Sequence, residues 1–510
     1  MLNEINEESS TPHKQNKNQK LIELAIDIAT PLRGTDGRNY IVLKNQPHVA
    51  IPHSGNSSQA VLTICNQYHV QNNDWVGTSG MNHLASYLSA QCVLSQPVEV
   101  HMRAGFTNGN IYLDYGNLEH DVLAVTPLGV QLTNECPIYF TRGAVISQFP
   151  ELTEATAELR ELRKFIRVEE KALPALIGCI IGMWMSNIPQ PIVFLHGSAG
   201  AGKTTSLRFI LDLVDPTTKM PGGALTENVR DLKSLAALRR VLVFDNTSHV
   251  KGEASDHLAR IATGGEMTLR SLYENDQPHI TMLMRPILIN GIMDGFTRGD
   301  LASRAISFEL TAIPKEEKAA FSDLESQWEI YKPRFFASIL KVATELLGSE
   351  PAQYQKIESN HRNIDLMRVI SFVSQQIGID GVAYVEESIK SLSRVVLAGN
   401  VITDALRATI ECAINNPDYC EHQFNGLGNM GVNRNFFGEF YDLRRLKNIL
   451  EDHIPFEDRK ALPQTPKQLG EALKRVESEI NLLFGVQFSK KSTNKGVRYS
   501  FEMTDSYDRI

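Results

Sequence analysis

Short apolar runs separated by polar turns fill the first part of the chain. Tyr40-Ile-Val-Leu43, Val98-Glu-Val-His-Met102, Ile111-Tyr-Leu113 and Val122-Leu-Ala-Val125 predict strands, and Gly80 to Leu88 predicts a helix between them. Residues 21–150 therefore read as an N-terminal α+β domain, preceded by a polar, disordered tail over 1–20. The charged stretch Glu151 to Lys171 predicts helix and leads into the apolar run Ala172 to Met185, a helical segment over 151–190. That run is too short to span a bilayer and suits a buried core helix. Over 191–315 the buried-type strands Pro191 to His196, Arg240 to Asp245, Pro286 to Asn290 and Arg304 to Leu310 alternate with helical spacing, predicting a doubly wound α/β core. Residues 316–420 read as helical, with Phe335 to Leu347 amphipathic. Glycine-rich Asn425 to Gly431 marks a linker, and 421–510 reads as a separate basic module.

Charge sharpens the picture. The whole chain of 510 residues carries a net charge of −8, which excludes a surface coated for non-specific nucleic-acid binding. Between Arg459 and Ser500, nine Lys/Arg face three Asp/Glu, so any DNA contact is expected to be local and C-terminal. The six cysteines are scattered without a C-x-x-C pair, as in a reduced compartment. Cys412, Cys420 and His422 come nearest to a metal cluster but lack its spacing. The polar first residues hold no apolar signal core, so a cytoplasmic protein without membrane contact is expected.

Chemistry enters with Gly197-Ser198-Ala199-Gly200-Ala201-Gly202-Lys203-Thr204, which fits G-x-x-x-x-G-K-[ST] between a strand and a helix that continues through Thr205. Glycines let backbone N–H groups curl around a phosphate, and the helix N-terminus adds partial positive charge. Lys203 is placed to reach the β/γ-phosphates of ATP and the Thr204 hydroxyl to ligate Mg²⁺. The second metal ligand is Asp245, at the end of Arg240-Val-Leu-Val-Phe-Asp245. Asn246 follows where many related ATPases place a water-activating glutamate, leaving Glu266 and Asp256 as stand-ins. Asn290 tips the next strand, where it would orient water or sense the γ-phosphate, or merely form a turn. Arg304 and Arg298 are candidates for a cation delivered to a neighbouring subunit's site.

Together with the segment Ala262-Thr-Gly-Gly-Glu-Met-Thr-Leu-Arg-Ser-Leu-Tyr273 and with Arg285-Pro-Ile-Leu-Ile-Asn-Gly291, this order resembles the superfamily-3 helicase ATPases of the AAA+ class. The resemblance is strongest to the ATPase portion of viral and plasmid primase-helicases, and it spans residues 30 to 500. It implies a P-loop AAA+ core, a homo-oligomeric ring, expected as a hexamer, and a β-hairpin facing a DNA channel. Arg270, Tyr273 and His279 would be the DNA contacts of that hairpin, whose acidic tip Glu274-Asn-Asp276 departs from the usual lysine. Priming is not expected, because Asp114 stands alone where a carboxylate triad is required.

In the basic module, Thr465-Pro466 starts a helix through Leu469, Leu473 and Val476. Strand-like Gly485 to Phe488 and Val497 to Phe501 flank a basic turn, the outline of a winged helix. Lys490, Lys491, Lys495 and Arg498 on the wing, with Lys467, Lys474 and Arg475 on the helix, are the phosphate-contacting candidates for single-stranded or forked DNA. Three functions compete: a DNA helicase or translocase of mobile-element replication, a regulatory or defence ATPase that recruits a partner, and a small-molecule kinase. The kinase predicts neither a trans-acting arginine nor a winged helix.

Overall fold

A computed structural model describes residues 17–143, 146–218, 222–226, 228–247, 250, 252–269, 279–292, 299–312, 320–349, 357–397, 401–415, 437, 440–453, 459, 462–463, 465–493 and 496–503. Helix Lys17–Ile28 starts inside the stretch expected as a tail, because Leu21 and Ala25 are buried in a core shared with helices Gln59–Asn72 and Thr78–Leu94. That sheet has the order Ala50–Pro52, Asn39–Leu43, Ala29–Gly34, Pro97–Val98 and is covered by helices Gln59–Asn72 and Thr78–Leu94. The run from Val98 to Met102 is shared between two sheets: Val98 pairs with Gly34, while Val100 to Met102 pair with Tyr139 to Thr141. The second sheet has six strands and contains Asn110–Asp114 and Val122–Thr126.

Residue 150 is not a packing boundary. Ile111, Leu113, Leu123 and Val125 of the second sheet share one core with helix Leu173–Trp184, helix Lys203–Val214, and helices Phe321–Gly348 and Ile364–Ile377. Every residue of Leu173–Trp184 is buried. Its close contact with Ile364–Ile377 runs over glycines: a Cβ on Gly178 would lie 2.5 Å from Ile370 Cγ1, and one on Gly182 2.7 Å from Leu366 Cδ1. Among the described residues no helix is long and apolar enough to cross a membrane. The helix expected over 151–171 is largely absent. Two short 3-10 turns, Leu159–Lys164 and Glu170–Ala172, are all that forms there. Upstream, the Ser338 hydroxyl bonds both the N–H and the carbonyl of Ala157, so backbone partners come from another element rather than the next turn.

The central sheet is parallel throughout, in the order Leu242–Thr247, Ile287–Gly291, Ile192–His196, Ala305–Glu309. We call these the acid, asparagine, loop and edge strands. Both faces are buried, which explains their continuous apolar runs. Val193, Leu195, Val243 and Leu288 face the large core; Ile192, Phe194, Leu242 and Ile287 face helices Val229–Leu238 and Gly252–Thr263. A hairpin of Glu266–Leu269 and His279–Met282 stands beside them, Glu266 opposite Met282.

Helix Val401–Asn415, expected in the helical region, belongs to the C-terminal core instead. Ile402, Leu406 and Ile410 pack with Leu446 and Leu450 of helix Leu443–Asp452 and with Leu469, Leu473 and Ile480 of helix Pro466–Phe484. The last helix starts as its sequence requires: Thr465 Oγ1 accepts from Gln468 N–H and Gln468 Oε1 accepts from Thr465 N–H, a capping box with proline at the first position. Val486–Thr493 and Gly496–Met503 form the hairpin after it, joined by Tyr441–Asp442 as a third strand.

Candidate functional site

The glycine-rich loop joins the loop strand to helix Lys203–Val214 at the C-terminal end of the parallel sheet. In an open α/β sheet, that is the end where ligands bind. Three glycines set its path, with φ of 144° at Gly197, 78° at Gly200 and 80° at Gly202. At Gly197 a Cβ would also approach the Leu310 carbonyl to 2.7 Å, so glycine is required there twice over. Ser198, Ala199 and Ala201 complete the turn, and the helix then starts at Lys203, with Thr204 and Thr205 in its first turn.

Lys203 Nζ donates to the carbonyls of Gly197 and Ser198 at 2.8 and 3.0 Å, which holds its ammonium over the loop. Thr204 Oγ1 donates to Asp245 Oδ1 at 2.9 Å, and Asn290 Nδ2 donates to the same oxygen at 2.7 Å. Asn290 is 1% exposed, and its Oδ1 accepts from the N–H of Asn246 at 2.6 Å. The asparagine is thus no turn former. It bolts the tip of one strand to the tip of its neighbour.

Asn246 is the strained member, with φ of 56°, and the register of acid and asparagine strands shifts between Phe244 and Thr247. This bulge turns Asp245 toward Thr204. The Asn246 side chain is exposed at the position where the resemblance implies a water-activating glutamate. Of the stand-ins, Asp256 is half-buried on helix Gly252–Thr263, while Glu266 lies in the hairpin with its side chain outside the described residues. His196 stacks on Phe194 at 5.5 Å. Burial lowers its pKa, opposed by Glu309 and reinforced by Lys203, so at neutral pH it adds no charge beside the loop.

One hydroxyl and one carboxylate, both hard oxygens, fit a Mg²⁺ ion that takes its remaining ligands from water and phosphate. Bound there, such an ion would neutralise charge on β- and γ-phosphates.

The structure places Arg304 differently from a free cation. Its Nη2 donates to Asp300 Oδ1 at 3.2 Å, its side chain is 24% exposed, and its Nε is buried without a partner among the described residues. Arg362 Nη1 binds the same Asp300 oxygen. Two arginines therefore share one carboxylate. Arg362 lies far along the chain, in no motif, and nothing in the sequence points to it. Arg298 lies outside the described residues.

Of the expected DNA contacts, Arg270, Tyr273 and Lys495 lie outside the described residues, and His279 is placed only as the strand partner of Leu269. Lys490, Lys491 and Arg498 are exposed. The hairpin register separates them: Lys491 is opposite Arg498, whereas Lys490 is opposite Tyr499 and points to the other face. Lys491 Nζ sits 5.8 Å from the Phe440 ring centre. Lys467 and Lys474 are exposed on their helix; the Arg475 side chain lies outside the described residues. Asp114 is buried and bound bidentately by Arg142, at 2.8 and 2.6 Å, a structural ion pair. Cys65, Cys92, Cys136, Cys179 and Cys412 form no disulfide among the described residues. Cys420 and His422 lie outside those residues, among which no group of three metal-binding side chains occurs.

Residues 157–392 match the family model of the Actinomycete integrative conjugative element replication protein. The matched span contains the buried helix, the glycine loop, Asp245, Asn290, Arg304 and Arg362, but neither the N-terminal sheets nor the C-terminal module. This central part is similar to replication proteins of a mobile-element family. Among curated proteins none matches. Among solved structures, the apo structure of the NrS-1 C terminal region matches with TM-score 0.39 and 9% identity, over 94% of this chain and 97% of that one. An A form apo structure of the same region matches with TM-score 0.41 and 9% identity, over 95% and 98%.

Proposed function

We propose that residues 191–315 form a P-loop AAA+ core of the superfamily-3 helicase type that hydrolyses ATP with Mg²⁺ to drive work on DNA during mobile-element replication. The observation that carries this reading is the convergence of Thr204 and Asn290 on one oxygen of Asp245, directly beside the Lys203 loop. The match of residues 157–392 to a replication-protein family supports the biological setting. Subunits assemble into a ring, a hexamer, with the Asp300–Arg304–Arg362 cluster presented to the neighbour's phosphates. The C-terminal winged helix supplies DNA affinity: in its hairpin Lys491 and Arg498 are cross-strand neighbours of like charge, an arrangement that costs stability unless an anion lies over it.

Unwinding of a forked DNA, measured against ATP turnover, tests the reading. Coupled strand separation is the expected result. Turnover without separation, in a chain that still assembles on DNA, would favour a regulatory ATPase, the reading that Asn246 in place of an acid supports. Replacing Lys490, Lys491 and Arg498 together by Gln should leave basal turnover intact. It should also flatten the salt dependence of DNA binding, the slope of log affinity against log salt falling by about 0.7–0.9 for each phosphate no longer neutralised. An unchanged slope would remove the wing from the DNA interface.

Arg304→Ala is expected to bind ATP with near-normal affinity and hydrolyse it roughly a thousandfold more slowly. Mixing it with Lys203→Ala subunits should restore part of the activity, because an active site then forms across one interface. No rescue at any ratio, with Arg362→Ala giving rescue instead, would transfer the role to the second arginine on Asp300.

A further inference from the structure

A cavity of about 220 Å³ opens at the end of the central sheet opposite the glycine loop, between the two N-terminal sheets and the starts of the acid and asparagine strands. Arg240 and Arg285, which precede those two strands, line it together with Arg38, His101, Asp36 and Glu99. Its charges do not balance locally. Asp36 is engaged by Tyr40 Oη at 2.7 Å and by Arg38 at 3.8 Å, and Glu99 lies 3.8 Å from His101. Asp215, which acts electrostatically on both Arg240 and Arg285, is held by Arg103 at 3.3 Å.

The two strand-leading arginines are left with uncharged acceptors. Arg240 donates to the Met183 and Met284 carbonyls and to Gln190 Oε1, at 2.6, 3.3 and 2.8 Å. Arg285 donates to the Ala236 and Met284 carbonyls at 3.0 and 3.1 Å. Arg240 is 4% exposed, and its Nε has no hydrogen-bond partner among the described residues. Burial, then the neighbouring Arg285, pushes Arg240 down to about 9; burial, then Arg38, pushes Arg285 down to about 10. Buried cations are ordinarily paired with anions. Carbonyl contacts orient these guanidiniums without neutralising them.

We propose that this cavity is a second anion site, one that takes a small phosphate-bearing ligand between Arg240 and Arg285. Guanidinium groups suit the planar, paired recognition of phosphate oxygens. The volume exceeds that of a single phosphate group and leaves room for the body of a small ester. This site is distinct from the glycine loop, since it lies at the other end of the strands that carry Asp245 and Asn290 near their C-terminal ends.

Inorganic diphosphate is the probe, titrated by calorimetry into Lys203→Ala protein so that the glycine loop is silenced. One remaining site is expected. Adding Arg285→Gln should weaken it by about tenfold or more, as for a missing hydrogen bond between charged partners. Glu99→Gln, which removes only the negative charge of a side chain that is 72% exposed at the cavity and so threatens no fold, should tighten it severalfold. No heat in the Lys203→Ala protein, or equal affinity with and without Glu99→Gln, would overturn the proposal. Displacement of diphosphate by a 5′-phosphorylated oligonucleotide but not by a mononucleotide would overturn it in favour of a nucleic-acid end.

Discussion

Lys203→Ala should abolish ATP turnover and remove much of the nucleotide affinity. Its ammonium is already held over the loop by the Gly197 and Ser198 carbonyls, so it meets a phosphate with little reorganisation. Charge that develops on the transferred phosphoryl group is stabilised by cations fixed in advance, and losing one such donor costs roughly 10²–10³ in rate. The loop itself should survive, because its path is set by Gly197, Gly200 and Gly202 rather than by the lysine. Initial-rate ATPase assays and nucleotide titration check both halves. Near-normal turnover by the variant would sink the assignment of the site.

Asp245 offers the second large effect, and here two substitutions part ways. Asp245→Ala removes the oxygen that accepts from both Thr204 and Asn290. Asn290 is buried, so its amide is left unsatisfied at a cost of about 1–3 kcal/mol. Turnover should fall by roughly 10²–10³, as when one charge-stabilising group is lost. Asp245→Asn keeps an acceptor oxygen in the same place and should therefore melt near the parent, yet lose activity to the same degree, because the negative charge proposed to hold Mg²⁺ is gone. Parallel melting curves and ATPase rates separate the two. Equal loss of stability in both variants would show that Asp245 is a structural acid, and retained turnover in Asp245→Asn would remove it from the metal.

Much of the candidate site's frame was legible because it is local. The glycine-loop residues are contiguous, and their backbone demands are written in glycine. The loop, acid, asparagine and edge strands are short and buried on both faces, so each is a continuous apolar run with a polar tip. The C-terminal helix is likewise announced by its own cap, Thr465 with Gln468. By contrast, helix was expected across 151–171 from charge and propensity alone. There the partners of the backbone come from Ser338, which no local pattern reveals.

The sequence by itself marked which residues to propose for phosphate and metal: Lys203, Thr204 and Asp245 stand at the spacing such a site needs. It also determined the alternation of buried strand and helix around them. Only the tertiary structure decided that Asn290 shares the Asp245 oxygen with Thr204, since this depends on the asparagine strand lying between the loop and acid strands. It alone decided that Arg304 and Arg362 meet on Asp300, that Lys491 lies opposite Arg498, and that helix Val401–Asn415 serves the C-terminal core. The physical reason is common to all four. Strand order, hairpin register and helix docking are set by long-range burial of apolar faces, and single-chain periodicity records that a face is apolar without recording what covers it.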